Sequence, residues 1–117
     1  MTTTASVAET TDDTFTRDVL EADLPVLVEF TADWCPPCRQ LAPVLESVAR
    51  ELRDRMRVVR IDVDRNPRTT ASYGVLSMPT MLVFQGGEPV RSMVGARSGR
   101  RLLQDLDGTY EPLSPTR

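Results

Sequence analysis

The sequence contains no histidine and no lysine, and the first absence restricts its chemistry. Without histidine, a single chain cannot form a Cys–His nucleophilic pair, a Ser–His triad or a histidine-ligated metal site. Without lysine, all 14 positive charges are carried by arginine. These arginines are mixed with 17 acidic residues and leave a formal net charge of −3, so the chain lacks the basic surplus typical of nucleic-acid-binding proteins.

Long apolar runs are also missing. Nowhere do about 18 apolar residues follow one another, as a membrane-spanning helix requires. Residues 1–13 carry no positive charge ahead of an apolar run of signal-peptide length. At 117 residues with 40% apolar composition, the chain is long enough for one domain with its own core. We therefore expect a cytoplasmic monomer that binds neither membranes nor nucleic acids.

Only two cysteines are present, and both lie in the segment Trp34-Cys35-Pro36-Pro37-Cys38. In a reducing compartment, such an isolated pair is more often catalytic or metal-binding than structural. Two thiolates cannot complete a tetrahedral zinc site, so a metal would require a second chain, and we expect none. If a helix begins at the first cysteine, the two lie about one turn apart, which suits the Cα separation of ~4.4–6.8 Å of a disulfide.

Cys35 is the expected attacking sulfur. Pro36 disfavours helical geometry at Cys35 and favours an extended N-cap conformation there, and it fits the first helical position itself. The positive end of the helix dipole then favours the thiolate of Cys35. Because Pro36 and Pro37 have no N–H, Cys38 supplies the only backbone donor of this turn. The two prolines thus tune the site, and the sign of their effect on the reduction potential stays open.

The pattern of apolar residues predicts a βαβ unit around this segment. Residues 26–30 are a compact run typical of a central strand. Residues 38–54 carry a helical stripe that Pro43 should kink, and residues 57–63 alternate like a second strand, parallel to the first. Six further elements are expected: an edge strand at residues 6–8, an amphipathic helix ending at residues 23–25, a helix over residues 66–72, two strands at 80–85 and 89–94 that form a hairpin, and a last helix over residues 98–106.

The same pattern sets the expected boundaries of the domain. We predict one domain over residues 11–107, preceded by a flexible segment over residues 1–10 and followed by a flexible tail over residues 108–117. Three arginines near the start of the last helix are interpreted as a solvated face: Arg97, Arg100 and Arg101.

Taken together, these residues resemble the thioredoxin family over roughly residues 11–106. The resemblance rests on seven matches in order: Val28-Glu29-Phe30, Trp34-Cys35, Pro43, Asn66-Pro67, Met78-Pro79-Thr80, Gly86-Gly87 and Val94-Gly95-Ala96. A C-x-x-C segment beside a βαβ pattern is itself typical of this family. The resemblance implies an α/β thioredoxin fold, with a central mixed β-sheet flanked by helices and the cysteines at a strand-to-helix junction.

The resemblance also implies a function, that of a thiol–disulfide oxidoreductase that reduces protein disulfides. Cys35 would attack the disulfide of a client protein, and Cys38 would resolve the mixed disulfide. The redox-active group would be the Cys35–Cys38 disulfide, with no bound cofactor. Because the chain has no Gly-rich nucleotide-binding motif, a thioredoxin reductase would supply the electrons. The alternatives are a disulfide isomerase or oxidase, and a binding or chaperone module whose cysteines are dispensable.

Three positions depart from the commonest family pattern. Pro36 replaces a glycine, Thr31 replaces an aromatic residue, and Glu29 replaces a buried aspartate that exchanges protons with the second cysteine. We expect Glu29 to be buried with a raised pKa and to accept a proton from Cys38, directly or through water. Arg60, on the adjacent strand, is the expected tuning partner of Glu29.

Client binding is assigned by the resemblance to residues around the cysteines. Pro79 resembles the family's cis-proline, so the backbone of Met78 would pair with an extended client segment. Trp34, Met78, Gly95 and Ala96 would then frame an apolar docking surface. Ordinary packing in the core or in loops is the alternative for each of these residues.

Overall fold

The computed structural model describes residues 6–111, so residues 1–5 and 112–117 of the two predicted flexible segments lie outside the described range. The strands are β1 (Ala8–Glu9), β2 (Val26–Thr31), β3 (Arg57–Asp62), β4 (Thr80–Gln85) and β5 (Glu88–Val94). The helices are α1 (Pro36–Glu51), α2 (Pro67–Ser72) and α3 (Gly99–Leu106), and residues Thr16–Leu20 form one π-helical turn. The strands make one sheet in the order β1-β3-β2-β4-β5.

Strand β2 is the centre of this sheet. It pairs in parallel with β3, to which α1 connects it, from Val26 opposite Arg57 to Thr31 opposite Asp62. Its other neighbour, β4, is antiparallel, and β4 and β5 form the predicted hairpin. Parallel strands require a crossover and antiparallel ones only a tight turn, as found here. The predicted α/β fold with a mixed sheet is confirmed.

Hydrophobic layers cover both faces of the sheet. Under α1 and α3, the largest buried side chains include Leu41, Leu45 and Leu102, all fully excluded from solvent. On the opposite face, Phe15 and Phe84 pack edge to face with ring centroids 5.6 Å apart. Full burial of each such side chain is worth about 1.5–3 kcal/mol. Since β2 lies between these layers, any polar side chain in its middle is forced out of contact with bulk water.

The first strand lies inside the segment that the sequence assigned as flexible. Ala8 pairs with Val59 of β3, the N–H of Thr10 donates to the carbonyl of Arg60 at 2.9 Å, and Val7 is buried. The edge strand expected at residues 6–8 is thus found at Ala8–Glu9. A two-residue strand is too short to show a periodic pattern in the sequence, so its position is set by pairing with the neighbouring strand.

The start of the predicted C-terminal tail is also part of the domain. Thr109 is buried, and its carbonyl accepts a hydrogen bond from the side-chain amide of Gln85 at 2.6 Å. Tyr110 packs against the core on the side of α1 and α3. Thr109 and Tyr110 therefore have partners across the fold, although they follow the last helix.

Candidate active site

Cys35 ends the loop after β2 and caps the N-terminus of α1. Its backbone is extended, with φ −100° and ψ 103°, as the proline that follows it predicts. Pro36 and Pro37 occupy the first helical positions, and the N–H of Cys38 donates to the Sγ of Cys35 at 3.2 Å. The first turn of α1 therefore directs one backbone donor at this sulfur, and the helix continues through Pro43 to Glu51.

Cys35 and Cys38 form a disulfide that spans the first turn of α1. Their Cα atoms lie 5.3 Å apart, so one turn of helix brings the two sulfurs together. Both residues are nearly buried, with 2% and 4% exposed, in a small cluster with Ala32 and Met78. The Sγ of Cys35 lies 3.6 Å from the carbonyl oxygen of Met78. This disulfide is the redox-active group of the protein.

A second loop, which contains Met78, packs against the disulfide. The Met78–Pro79 peptide bond is cis and leads directly into β4. The carbonyl of Pro79 accepts a hydrogen bond from the N–H of Gly95 at 2.8 Å. Gly95 has φ +97°, a conformation that residues with a side chain rarely adopt, so this turn requires glycine. The structure thus brings Met78, Pro79 and Gly95 together beside Cys35, with Ala96 exposed next to them.

Trp34 lies on the surface next to the disulfide. Its side chain is fixed by a hydrogen bond from the indole Nε1 to Oδ2 of Asp64 at 2.8 Å, and 62% of the residue remains exposed. Leu76, two residues before Met78, is 94% exposed. Neither Asp64 nor Leu76 was identified from the sequence, where one is an ordinary loop acid and the other one of many leucines. Trp34 therefore exposes apolar surface beside Cys35, and Leu76 exposes apolar surface two residues before Met78.

Glu29 lies in the middle of β2 and is only 1% exposed. Burial raises its pKa from 4.5 to about 7, against an opposing effect of the Arg60 charge. Arg60 is its register partner on β3, but no hydrogen bond or ion pair joins these two side chains. Within residues 6–111, Oε2 of Glu29 has no hydrogen-bond partner. Glu29, Arg60 and Cys38 line the same cleft of about 280 Å³, so a carboxyl that titrates near neutral pH shares a cavity with the second cysteine.

The prediction of a solvated helix face is wrong for Arg97. Only 15% of its side chain is exposed, and it forms an ion pair with Asp105 at 2.6 Å. Arg101, by contrast, is 63% exposed as predicted. The partner of Arg97 lies eight residues further on, so no local pattern could have shown the pairing.

Over residues 6–111 there is no group of three or more Cys, Asp or Glu side chains arranged to hold a metal ion. None of the helices in that range has the length and apolar character needed to cross a bilayer.

A disulfide across the first turn of a helix, at the end of a central strand and beside a cis-proline, defines the site of a dithiol–disulfide oxidoreductase. The sequence model described as Thioredoxin matches residues 6–108. Thioredoxin of Streptomyces clavuligerus is 51% identical over 94 residues, which cover 80% of this chain and 87% of that protein. Thioredoxin 1 of Nostoc sp. is 42% identical over 103 residues, 88% of this chain and 96% of that protein. The chain belongs to the thioredoxin family.

One relative is a larger protein with two named activities. The bifunctional thioredoxin reductase/thioredoxin of Mycobacterium leprae is 50% identical over 106 residues, which cover 91% of this chain. The chain spans only 23% of the length of that relative. The resemblance to the thioredoxin family and the predicted dithiol–disulfide chemistry are thus confirmed.

Proposed function

We propose that this protein reduces disulfide bonds in other proteins, with Cys35 as nucleophile and Cys38 as resolving thiol. The observation that carries the proposal is the position of Cys35, which caps α1, receives the N–H of Cys38 at 3.2 Å and lies against the Met78 carbonyl. A thiolate at this position gains from the helix dipole and from one backbone donor. An inert structural disulfide needs neither.

The reaction proceeds by two exchanges at sulfur. The Cys35 thiolate attacks one sulfur of a client disulfide, forms a mixed disulfide and releases the first client thiolate. The Cys38 thiolate then attacks Sγ of Cys35, which closes the internal disulfide and releases the second client thiolate. Two electrons pass from the dithiol to the client. Because the two cysteines are one helical turn apart, the second exchange is effectively unimolecular. The mixed disulfide is therefore resolved before a second molecule can react with it.

Glu29 is the proton acceptor in this scheme. Cys38 must lose its proton before it can attack, and Glu29 lines the same cleft with an unpartnered oxygen and a pKa of about 7. A carboxyl with such a pKa exchanges protons efficiently near neutral pH. The cleft is large enough for water, so the transfer can run through a water molecule. A Glu29→Gln variant should slow the Cys38-dependent step and shift its pH profile; an unchanged profile would remove this role.

Client proteins are proposed to dock on the surface around the disulfide. An extended client segment forms main-chain hydrogen bonds with Met78, the residue before the cis-proline Pro79. This is a form of strand addition. Trp34, Gly95 and Ala96 complete this surface. Such docking brings the client sulfur to the otherwise buried Cys35 in a defined orientation.

A thioredoxin reductase is the proposed electron donor, and the protein is proposed to act as a monomer in the cytoplasm. The name of the M. leprae relative, which joins a reductase and a thioredoxin in one chain, supports this pairing. In a reducing compartment the internal disulfide is returned to the dithiol after each turnover.

The test combines turnover with covalent trapping. Insulin reduction should be rapid with NADPH and a thioredoxin reductase and should stop without the reductase. A Cys38→Ser variant should accumulate mixed disulfides with clients through Cys35, whereas a Cys35→Ser control should not. A binding or chaperone module would retain the same partners without covalent linkage, and this outcome would refute the proposal. The measured reduction potential separates a reductase from an isomerase or oxidase.

A further inference from the structure

Arg97 holds two successive carbonyl groups of the client-binding segment, which we define as Val94-Gly95-Ala96. Its Nη2 donates to the carbonyl of Val94 at 2.5 Å, and its Nε donates to the carbonyl of Gly95 at 3.2 Å. The remaining nitrogen, Nη1, donates to Oδ2 of Asp105 at 2.6 Å. One planar guanidinium therefore joins this segment to α3, and such a fork fixes both distance and orientation.

Asp105 is itself held in place from several sides. Its Oδ1 accepts a hydrogen bond from Nε of Arg101 at 3.2 Å, and its backbone carbonyl accepts one from Nη1 of Arg91 at 2.5 Å. Hydrogen bonds from Arg97 lower the pKa of Asp105, so its carboxyl is ionised at neutral pH. The helix that carries Asp105 is anchored in the core by the fully buried Leu102 and Leu106. The carboxylate is thus a rigid, charged anchor.

The segment held by Arg97 is connected to the redox site through Pro79. The N–H of Gly95 donates to the carbonyl of Pro79 at 2.8 Å. Pro79 follows Met78, whose carbonyl oxygen lies 3.6 Å from Sγ of Cys35. A shift of Gly95 would therefore displace the loop against which a client must lie, while α1 and its disulfide would stay in place.

We propose that Arg97 and Asp105 form a clamp that positions the client-binding segment for protein substrates. This proposal rests on the proposed function, since it concerns the docking surface of the same site. Neither residue touches the reacting sulfurs, so both are positioning residues. A segment that is ordered before the client arrives binds at a lower entropic cost than one that must be ordered on binding. Small disulfides that reach Cys35 without the segment gain nothing from it.

The test compares two substrates for the full-length, reduced protein. Arg97→Gln and Asp105→Asn each break the clamp from one side. Each should lower the second-order rate constant for insulin reduction about fivefold to tenfold. This is the effect expected if losing the preorganised segment costs about as much free energy as losing one hydrogen bond. The rate constant for a small aromatic disulfide and the reduction potential should stay within about twofold of wild type. Since the two residues act as one unit, the double variant should match the worse single variant.

Arg100→Gln is the matched control. Arg100 is an exposed arginine on the same helix that makes no hydrogen bond or ion pair within residues 6–111. The clamp is refuted if both variants reduce insulin as fast as this control, or if the insulin and small-disulfide rates fall in parallel. If one of the two variants fails to fold, the comparison of the other with Arg100→Gln still tests the clamp. A wild-type protein unable to reduce insulin would instead refute the proposed function.

Discussion

The buried carboxyl of Glu29 should make the stability of the oxidised protein depend on pH near neutrality. In the unfolded chain its pKa is 4.5, whereas burial raises the pKa in the folded protein to about 7. Between these values the folded protein holds a proton that the unfolded chain has released. The free energy of unfolding therefore falls as pH rises through this window, and the loss is complete once the folded carboxyl also ionises.

The size of the effect follows from the two pKa values. Each pH unit inside the window changes the free energy of unfolding by about 1.4 kcal/mol, which gives ~3 kcal/mol in total and ~2.5 kcal/mol between pH 5 and 8. Glu29→Gln removes the titrating group. Its stability relative to wild type should therefore rise by ~2.5 kcal/mol from pH 5 to pH 8, whatever offset the amide introduces at any one pH.

Urea denaturation of the two oxidised proteins at pH 5, 6, 7 and 8 measures this difference. The absence of histidine removes the usual titrating side chain from this range, and the disulfide removes both thiols. Glu51→Gln, which changes an exposed carboxyl at the end of α1, is the control and should follow wild type. Parallel profiles for wild type and Glu29→Gln would refute the argument that burial governs this carboxyl.

Two further predictions concern the scaffold of the site. Burial raises the pKa of Asp12, but hydrogen bonds from Thr69 and Arg68 at the start of α2 outweigh it and lower the pKa below 3.8. Asp12→Asn should therefore cost about 1 kcal/mol at pH 7, and the difference in urea midpoint should shrink as the pH is lowered through the pKa of the folded carboxyl; a pH-independent loss would contradict this. Gly95→Ala should cost about 1–3 kcal/mol because of its φ of +97°. The matched Gly99→Ala, at the first position of α3 with only an ordinary 3.9 Å contact to Val44, should stabilise by about 0.4–1 kcal/mol in thermal unfolding because it restricts the unfolded chain, and equal effects would refute the backbone argument.

The sequence predicts those parts of the fold that local chemistry determines. The proline after Cys35 fixes an extended residue and then a helix start, so both the N-cap and α1 were predictable. Strand β2 followed from a compact apolar run, β3 followed from alternating apolar residues, and the β4–β5 hairpin followed from its two glycines. Each of these signals lies within a few residues of the element it predicts.

Elements that depend on distant partners were not predictable in the same way. The edge strand expected at residues 6–8 is found at Ala8–Glu9, where pairing with β3 sets its position, and the expected amphipathic helix is a single π-helical turn that still buries Phe15 and Val19. Arg97 reads as a surface charge until Asp105 is placed beside it. At Glu29 the sequence predicted burial, but the unpartnered oxygen is visible only in three dimensions. A charged residue in a central strand is the kind of local inconsistency expected at a functional site.

The reactivity of the two thiols tests the central claim most directly. The reduced protein is alkylated with iodoacetamide across pH 5–10, and the modified cysteine is located by mass spectrometry. The helix terminus and the Cys38 N–H favour the thiolate at Cys35. Cys35 should therefore react first and titrate below the value of about 8.5 for a free cysteine. A Cys35 that reacts no faster at pH 7 than a free cysteine, or a Cys38 that is modified first, would contradict the account.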